Sequence, residues 1–365
     1  MIRILHIVSD LSKNGGMISV IMNYYRNIDR KKVQFDFLSF KLNENDYSDE
    51  IINLGGRVYC LGYPKISIEY LRKINTFFEK HNGEYKAIHC HPIFSSEIFA
   101  KSARKNNIEY VIAHSHSTKF SNKKISALRN YFINLFVKNF ATNYMACSED
   151  AKKLFNRVNS EDIYILNNAI DYKKFKFNLN NRFKIRNEFN INDDDILIGN
   201  TGRLSSEKNQ KFLLMLLKDI CKINRKYKLM IVGAGVLENE LKEYAKKNNI
   251  DNNVIFTGKR NDVESVLSAF DIFVLPSIFE GVPVSAIEAQ AAGLQCILSN
   301  KVTKDVDIYG VKYLGIENGT DSWIKYISGL KNNLMYREAN NNNLENSKYN
   351  IFLEAKNLEE YYINL

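Results

Sequence analysis

The chain's 365 residues exceed what one typical hydrophobic core organises, and they suit two α/β domains. A hydrophobic share of 45%, with apolar runs throughout, is ordinary for a globular protein and excludes a disordered chain. The formal net charge of +10 favours anionic partners, but the basic residues form no single tract and accompany no zinc-finger or RNA-binding motif, which argues against a nucleic-acid-binding protein.

Short apolar runs alternate with helical patterns along the first half of the chain. This alternation predicts a parallel sheet with right-handed crossovers. One helix is predicted after the pair Gly15-Gly16, and another over residues 68–80. The predicted strands cover residues 2–8, 33–40, 57–61, 87–91, 110–114, 144–147 and 163–166.

The polar stretch 177–195 interrupts this pattern and predicts a domain boundary close by. Its acidic run, residues 193–195, favours a solvated turn over a metal site. A second alternating series then predicts helices at residues 209–224, 237–248, 263–269 and 284–292. The strands of this series are predicted at residues 197–201, 228–232, 254–257, 272–276 and, as the last one, 295–299.

The two series predict an α/β fold with two Rossmann-like domains that face a central cleft. We expect residues 1–175 and residues 176–343 to form these two domains. A helix over residues 344–365 is expected to pack back toward the first domain. Ligands in such sheets bind at the carboxyl ends of the strands, so the residues at those ends carry the functional prediction.

The segment SIFEGVPVSAIEAQAAG holds two carboxylates, Glu280 and Glu288, eight positions apart. Gly281 and Pro283 suit a tight loop that enters a helix. Backbone N–H groups and the helix dipole at such a turn favour anions, while a nearby carboxylate accepts hydrogen bonds from sugar or ribose hydroxyls. The spacing does not suit a glycosidase pair. Two surface acids on an ordinary βα turn remain the alternative.

The segment TGRLSSEKN follows the strand at residues 197–201 and carries Arg203 and Lys208. An arginine can bind diphosphate oxygens bidentately, and a lysine adds a compact positive charge. A solvated charged loop is the alternative. Residues 233–235, Gly-Ala-Gly, form only part of a dinucleotide fingerprint, because Glu238 stands where the third glycine belongs, which argues against a dehydrogenase.

Histidines occur in two HxH pairs, His89/His91 and His114/His116. Residues i and i+2 of a strand share a face, so each pair could bind a metal ion. No suitably spaced acidic or cysteine ligand accompanies either pair, which disfavours a metal site. A role in lining the cleft at the strand ends is the favoured interpretation.

A basic stretch over residues 119–140 has helical apolar spacing and contains no acid. It could lie on an anionic membrane or pack its apolar face on the first domain, and the sequence favours neither. Its basic residues include Lys119, Lys123, Lys124 and Arg129. The five scattered cysteines predict reduced thiols, and the N-terminus predicts a first strand instead of a signal peptide. We therefore expect a cytoplasmic protein.

Arg203, Lys208 and the Glu280-x7-Glu288 pattern, in this order and spacing, resemble the retaining family 4 glycosyltransferases of the GT-B fold. The stretches IRILHIVSDLSKNGG and FEGVPVSAIEAQAAGLQCILS look like the bacterial exopolysaccharide and capsular polysaccharide branch. The resemblance covers nearly the whole chain and is more specific in the C-terminal half.

The resemblance implies that residues 1–175 bind the acceptor and residues 176–343 bind the nucleotide sugar, and it also implies roles for individual residues. Arg203 and Lys208 would bind the donor diphosphate, Glu288 the ribose and Glu280 the donor sugar. His114 would line the sugar site, and it joins Arg203, Lys208 and Glu280 in the implied catalytic group. The remaining implied donor-binding residues are Gly16, Gly202, Lys259, Arg260, Asn261, Gly281, Val282, Pro283 and Val284.

One departure lies after Gly16, where relatives often carry Ala and Glu but this chain has Met17 and Ile18. The departure puts local acceptor or phosphate contacts in doubt.

The implied activity is metal-independent transfer of a sugar with retention, without a cofactor, from a nucleotide sugar with UDP as the default nucleotide. The implied acceptor is a polyprenyl-diphosphate-linked glycan, with the protein peripheral on the inner face of the cell membrane. Two alternatives are kept: a non-catalytic GT-B partner subunit, and an epimerase or phosphorylase of the same fold. All four donor-site residues are present, which disfavours the non-catalytic subunit.

Overall fold

The computed structural model describes residues 1–13, 15–65, 67–93, 96–116, 136–155, 157–330, 337, 340 and 342–365. Contacts divide the chain into two compact units. The first comprises Met1–Ala169 together with Ile351–Leu365, and the second is Ile170–Asn350. The predicted acceptor and nucleotide roles of the two parts stay predictions.

In the first unit, the described residues form a parallel sheet with strand order β3-β2-β1-β4-β5-β6-β7. Its strands are β1 Ile2–Val8, β2 Val33–Ser39, β3 Val58–Cys60, β4 Ala87–Cys90, β5 Tyr110–Ser115, β6 Asn143–Ala146 and β7 Ile163–Ile165. The strand order reverses between β1 and β4, so a crevice for a ligand is expected at the carboxyl ends of these two strands.

Helices connect these strands, as the alternation predicts. They are α1 Gly16–Asn27, α2 Ser48–Asn53, α3 Ile68–Lys80, α4 Ser96–Lys105 and α5 Glu149–Lys152. All seven residues of β2 are buried, although Gln34, Asp36 and Ser39 are polar. Asp36 tolerates burial because it accepts hydrogen bonds from the side chains of Arg3 and Tyr85 and from the Arg57 backbone.

The second unit contains a parallel sheet with strand order β10-β9-β8-β11-β12-β13 within the described residues. The strands are β8 Ile196–Thr201, β9 Tyr227–Val232, β10 Val254–Gly258, β11 Ile272–Leu275, β12 Gln295–Ser299 and β13 Lys312–Leu314. The strand order reverses between β8 and β11, which places the segments after these two strands side by side.

Within the described residues, the helices of this unit include α6 Tyr172–Phe175, α7 Leu179–Glu188, α8 Gln210–Ile220, α9 Glu238–Lys247, α10 Val263–Ala269, α11 Val284–Ala291 and α12 Asp321–Ser328. The buried ring of Trp323 packs edge-on against Phe212 at a centroid distance of 5.2 Å. This contact joins α12 to α8 in the core of the second unit.

Helix α13, Ile351–Ile363, packs against the first unit. Glu359 accepts hydrogen bonds from Lys32 Nζ at 2.8 Å and from the Asp29 backbone at 3.0 Å. Glu354 accepts one from Asn167 at 2.9 Å. The completely buried Tyr362 lies against His89. The end of the chain is therefore part of the first unit's core.

The structure corrects three details of the sequence analysis. Residues 177–195 contain α7, whose buried face holds Arg182 and Arg186 and so shows no apolar periodicity. Asp195 is buried and pairs with Lys228 at 2.9 Å, so the prediction of a solvated turn was wrong for this residue of the acidic run. Strand β13 follows residues 295–299, which were predicted as the last strand.

No helix in the described parts of the chain combines the length and the apolar character needed to cross a bilayer. Four residues of the predicted basic helix, Lys119, Lys123, Lys124 and Arg129, lie outside the described residues. The end of that stretch, Val137–Asn139, forms a short 3-10 turn. Both interpretations of the basic stretch therefore stay predictions.

Candidate functional site

The segment after β8 is attached to its surroundings at both ends. The Leu204 backbone N–H donates to the carbonyl of Ala234 at 3.2 Å, and the Gln210 side chain donates to the carbonyl of Arg203 at 3.0 Å. Asn209 adopts a left-handed conformation with φ of 54°, and its amide donates to the carbonyl of Pro276 at 3.1 Å. The loop that carries Arg203 and Lys208 therefore has a defined path.

Two glycines after β9 allow this loop to lie close to the backbone. A Cβ built on Gly233 would come within 2.0 Å of the Gly202 carbonyl oxygen, and one on Gly235 within 2.2 Å of the Leu204 carbonyl oxygen. No side chain fits at either position without moving the loop. The incomplete dinucleotide fingerprint is thus explained by backbone packing.

Lys208 and Glu280 meet across β8 and β11. Lys208 Nζ lies 2.5 Å from Glu280 Oε1, and the two side chains are 20% and 14% exposed. The Ser277 hydroxyl also donates to Glu280 Oε1, at 2.9 Å. The Ile278 backbone N–H donates to the Glu207 carbonyl at 2.8 Å, which joins the two loops. The sequence analysis missed the supporting role of Ser277, which only its position before Glu280 could have suggested.

The N-terminus of α11 lies just after Glu280. Pro283 occupies the cap position, and no side chain in the described part of the chain caps the first turn. The buried Ser285 hydroxyl in that turn also lacks a partner among the described residues. Uncapped N–H groups and the helix dipole together make a site for phosphate or another anion.

Arg203 is exposed, in contrast to Lys208. Among the described residues, its guanidinium forms no ion pair. Its charge and its five donors are therefore available to an anionic ligand. The site thus offers one cation held by Glu280 and one cation directed to solvent.

Glu288 lies in the second turn of α11 and is half-buried. Desolvation raises the pKa of its carboxyl group to about 7. Lys174 and Lys208 act to lower that pKa and Glu264 acts to raise it. A carboxylate that loses hydration in this way gains from hydroxyl groups that donate to it. Glu288 is therefore suited to bind a diol such as ribose.

Lys259, Arg260 and Asn261 follow β10, and two of them, Lys259 and Asn261, are exposed. The Arg260 guanidinium donates to both carboxylate oxygens of Asp262, at 2.8 and 2.7 Å. It also donates to Glu188, at 2.5 and 3.1 Å. Two carboxylates thus neutralise the Arg260 charge, and its role toward a nucleotide base stays a prediction.

Gly16 and His114 belong to the first unit. Gly16 is the first residue of α1, and the space where its Cβ would lie is open to 4 Å among the described atoms. Ile18, which stands where relatives often carry Glu, is buried in the core. The doubt about acceptor or phosphate contacts near Gly16 stays a prediction.

His114 is 2% exposed and lies at the end of β5. It belongs to a cluster of five histidines that lie on or directly after the adjacent strands β1, β4 and β5: His6, His89, His91, His114 and His116. Burial lowers the pKa of His6 and His116 to about 3 and that of the other three well below the usual value, so all five are neutral near pH 7. The two HxH pairs were visible in the sequence. That His6 lies beside them could not be predicted without the strand order, which places β1 next to β4.

Comparison with known proteins shows that this chain is similar to glycosyltransferases. The family model "Glycosyl transferases group 1" matches residues 181–359. EpsF of Bacillus subtilis (strain 168), whose name places it among the glycosyltransferases, is 34% identical over 84% of this chain and 81% of its own length. An Escherichia coli UDP-Gal:alpha-D-GlcNAc-diphosphoundecaprenol alpha-1,3-galactosyltransferase is 24% identical over 77% of this chain and 76% of its own.

Among solved structures, Anabaena Alr3699/HepE in complex with UDP-glucose matches with a TM-score of 0.83. The match covers 100% of both chains at 15% sequence identity. The predicted fold class, an α/β fold of the GT-B type built from two Rossmann-like parts, is thereby confirmed.

Proposed function

The chain belongs to the group 1 glycosyl transferases, and from that premise we propose that it moves a sugar from a nucleoside diphosphate sugar to a lipid-linked glycan. The observation that carries this proposal is the Lys208–Glu280 pair beside the uncapped N-terminus of α11. A diphosphate needs cations and N–H donors, and a sugar needs a carboxylate that accepts hydrogen bonds. Both kinds of group are present in the loops after β8 and β11 and at the N-terminus of α11.

The leaving diphosphate is bound by Lys208, Arg203 and the first turn of α11. As the glycosidic bond breaks, negative charge grows on the diphosphate, and preorganised cations stabilise that charge without reorganising. Glu280, freed from part of its contact with Lys208, accepts hydrogen bonds from sugar hydroxyls. In the proposed front-face reaction the leaving phosphate takes the proton of the acceptor hydroxyl, and the configuration at the anomeric carbon is retained.

We propose UDP as the nucleotide of the donor. The name of the Escherichia coli relative includes UDP-Gal, and the Anabaena structure holds UDP-glucose. Charge neutralisation of the diphosphate by Lys208 and Arg203 supports transfer without a resident metal ion or a cofactor.

The proposed acceptor is a glycan on a polyprenyl diphosphate, within capsular or extracellular polysaccharide synthesis. The name of the Escherichia coli relative includes a diphosphoundecaprenol-linked acceptor. The net charge of +10 is compatible with an anionic lipid surface, where the protein would be peripheral on the inner face of the membrane.

A two-step assay tests this function. Thermal shift of the full chain against UDP- and GDP-sugars identifies the donor, since a ligand at 100 times its Kd stabilises by about 2.7 kcal/mol. Product analysis with that donor and an undecaprenyl-diphosphate-linked sugar then follows. Transfer to the lipid-linked sugar supports the proposal. A free isomer of the sugar, a sugar phosphate, or no product would instead indicate an epimerase, a phosphorylase or a non-catalytic subunit.

The variant Glu288→Gln should have opposite effects on stability and on binding. Because burial raises the pKa of Glu288 to about 7, the protonated form favours folding, and that stability is lost as the pH rises through 7. E288Q should therefore raise the Tm at pH 8 and leave it nearly unchanged at pH 4. The same variant should weaken UDP binding at pH 8, because ribose hydroxyls prefer an ionised acceptor.

Calorimetric titration with UDP measures the second effect. Affinity of the wild type should fall several-fold between pH 8 and pH 6, and E288Q should show only the smaller fall that comes from protonation of the UDP terminal phosphate, whose pKa is about 6. Glu243→Gln on the exposed face of α9 is the control, because it makes the same change of charge in solvent. Equal UDP affinity of E288Q and the wild type at pH 8 would remove Glu288 from the nucleotide site.

A further inference from the structure

The histidine cluster contains two hydrogen-bonded chains. In the first, His6 Nδ1 lies 3.0 Å from His91 Nε2, and His91 Nδ1 lies 2.7 Å from His116 Nε2. In the second, the Tyr362 hydroxyl lies 2.6 Å from His89 Nδ1, and His89 Nε2 lies 3.0 Å from His114 Nδ1. The second chain thus connects α13 to His114 through His89.

The distances favour hydrogen bonds over a bound metal ion. The nitrogens of His6, His89 and His91, or of His91, His114 and His116, lie within 4.8 Å of one another, as in a three-histidine site. Around tetrahedral zinc, however, ligand nitrogens are about 3.3 Å apart. The directly facing pairs lie at 2.7 to 3.0 Å, which is the range of an N–H···N hydrogen bond.

Tyr362 determines which atoms donate and which accept in the second chain of hydrogen bonds. Its ring is completely buried, and burial raises the pKa of its hydroxyl well above 10, so it keeps its proton. Within the described residues, His89 Nδ1 is the single hydrogen-bond partner of this hydroxyl. The hydroxyl therefore donates to His89 Nδ1. Neutral His89 then carries its proton on Nε2 and donates to His114 Nδ1.

We propose that Tyr362, acting through His89, holds His114 in the tautomer that carries its proton on Nε2. His114 Nε2 is buried and has no partner among the described residues, so it is the free end of the chain. Each direction leaves one unpartnered group at either end of the chain: the Tyr362 proton and the His114 Nε2 lone pair in one case, the Tyr362 oxygen lone pairs and the His114 Nε2 proton in the other. The proposed direction is favoured because a phenol hydroxyl is a strong donor and a weak acceptor, whereas a neutral imidazole nitrogen accepts well.

This inference rests on the proposed function and on the sugar-site role that the family resemblance implies for His114. A neutral N–H donor can bond to an oxygen that gains negative charge during transfer, whereas an unprotonated Nε2 would repel it. Tyr362 and His89 are then positioning residues, because they act on the substrate only through His114. The C-terminal helix thereby acquires a role in the chemistry beyond packing.

Nuclear magnetic resonance of ring-15N-histidine-labelled protein tests the tautomer directly. The His114 signals, assigned by their loss in His114→Gln, should report a protonated Nε2 and an unprotonated Nδ1. In Tyr362→Phe, which removes one hydroxyl, the two directions leave equal numbers of unpaired groups, so His114 should become a mixture of tautomers. An unchanged His114 tautomer in Tyr362→Phe would overturn the inference.

Tyr361→Phe is the matched control. Tyr361 is the neighbouring residue on α13, and its hydroxyl accepts one hydrogen bond, from Asn143 at 3.0 Å, away from the histidines. Loss of the Tyr361 hydroxyl should leave the His114 resonances unchanged and the transfer rate within about twofold of the wild type. A shift of His114 in Tyr361→Phe equal to that in Tyr362→Phe would show that general loosening of the helix is responsible.

Kinetics with the donor identified by thermal shift separate positioning from packing. Tyr362→Phe should lower kcat about three- to tenfold and leave the Kd of UDP unchanged, since UDP lacks the sugar that His114 contacts. Stoichiometric metal in the purified protein, retained on dialysis, would overturn the hydrogen-bonded assignment. If the wild type transfers no sugar, the proposed function is wrong. The tautomer of His114 is then still tested by the resonance data alone.

Discussion

Replacing Lys208 by alanine is expected to lower the transfer rate by about two to three orders of magnitude, the loss typical for one preorganised charge-stabilising group. Lys208 is mostly buried, and its ammonium contacts Glu280 at 2.5 Å. A diphosphate bound there would meet a cation that needs little reorganisation. Arg203→Ala should also lose most activity, by removing the second cation. Initial rates with saturating acceptor and varied donor measure both effects.

The control for this prediction is Lys211→Ala. Lys211 also carries one positive charge, but its side chain is 56% exposed and pairs loosely with Glu240 at 3.6 Å. Its loss should leave the rate within about twofold of the wild type. The fold should survive in Lys208→Ala, because neither partner is fully buried and Glu280 keeps the hydrogen bond from the Ser277 hydroxyl. Near-normal turnover of a folded Lys208→Ala protein would contradict the assigned donor site.

Replacing Arg337 by alanine is expected to produce the largest loss of stability. The Arg337 guanidinium is 3% exposed and donates to four carbonyls, those of Leu267, Ser268, Phe270 and Ala292, at 2.8 to 3.2 Å. These carbonyls lie at or near the C-terminal ends of α10 and α11. Its removal leaves them buried without donors, at an expected cost of about 3–5 kcal/mol. Thermal unfolding should show a Tm lowered by about 10 °C.

Two variants make this stability prediction specific. Arg225→Ala removes an exposed arginine of the same unit and should leave the Tm nearly unchanged. Arg337→Lys keeps the charge but lacks the planar fork, so it should recover only part of the loss. A Tm of Arg337→Ala within about 2 °C of the wild type would show that water replaces the guanidinium without cost.

Much of the fold was predictable because its information is local. Alternating apolar runs and helical patterns located strands such as Ile2–Val8 and Gln295–Ser299 with the same bounds as the structure. Helix α7 was missed because its buried positions are Arg182 and Arg186, which satisfy Asp271 and nearby carbonyls instead of an apolar core. Apolar periodicity cannot detect a helix that buries charges.

Only part of the candidate site could be predicted from local sequence patterns. Arg203, Lys208, Glu280 and Glu288 stand in segments that follow strands, and the carboxyl ends of parallel strands share one edge of a sheet. That argument made a contact between the loops predictable. The pairing of Arg260 with Glu188 was not, because the partners are 72 positions apart and meet only through the packing of α7.

The sequence by itself determined the alternation of strands and helices, the family and the residues that follow β8 and β11, because each is encoded within a few neighbouring positions. Only the tertiary structure decided which distant side chains meet. Strand order brings His6 to His91, and the packing of α13 brings Tyr362 to His89, 273 positions away. Such contacts depend on the topology of the whole unit, since local patterns specify which face is buried but not what lies against it.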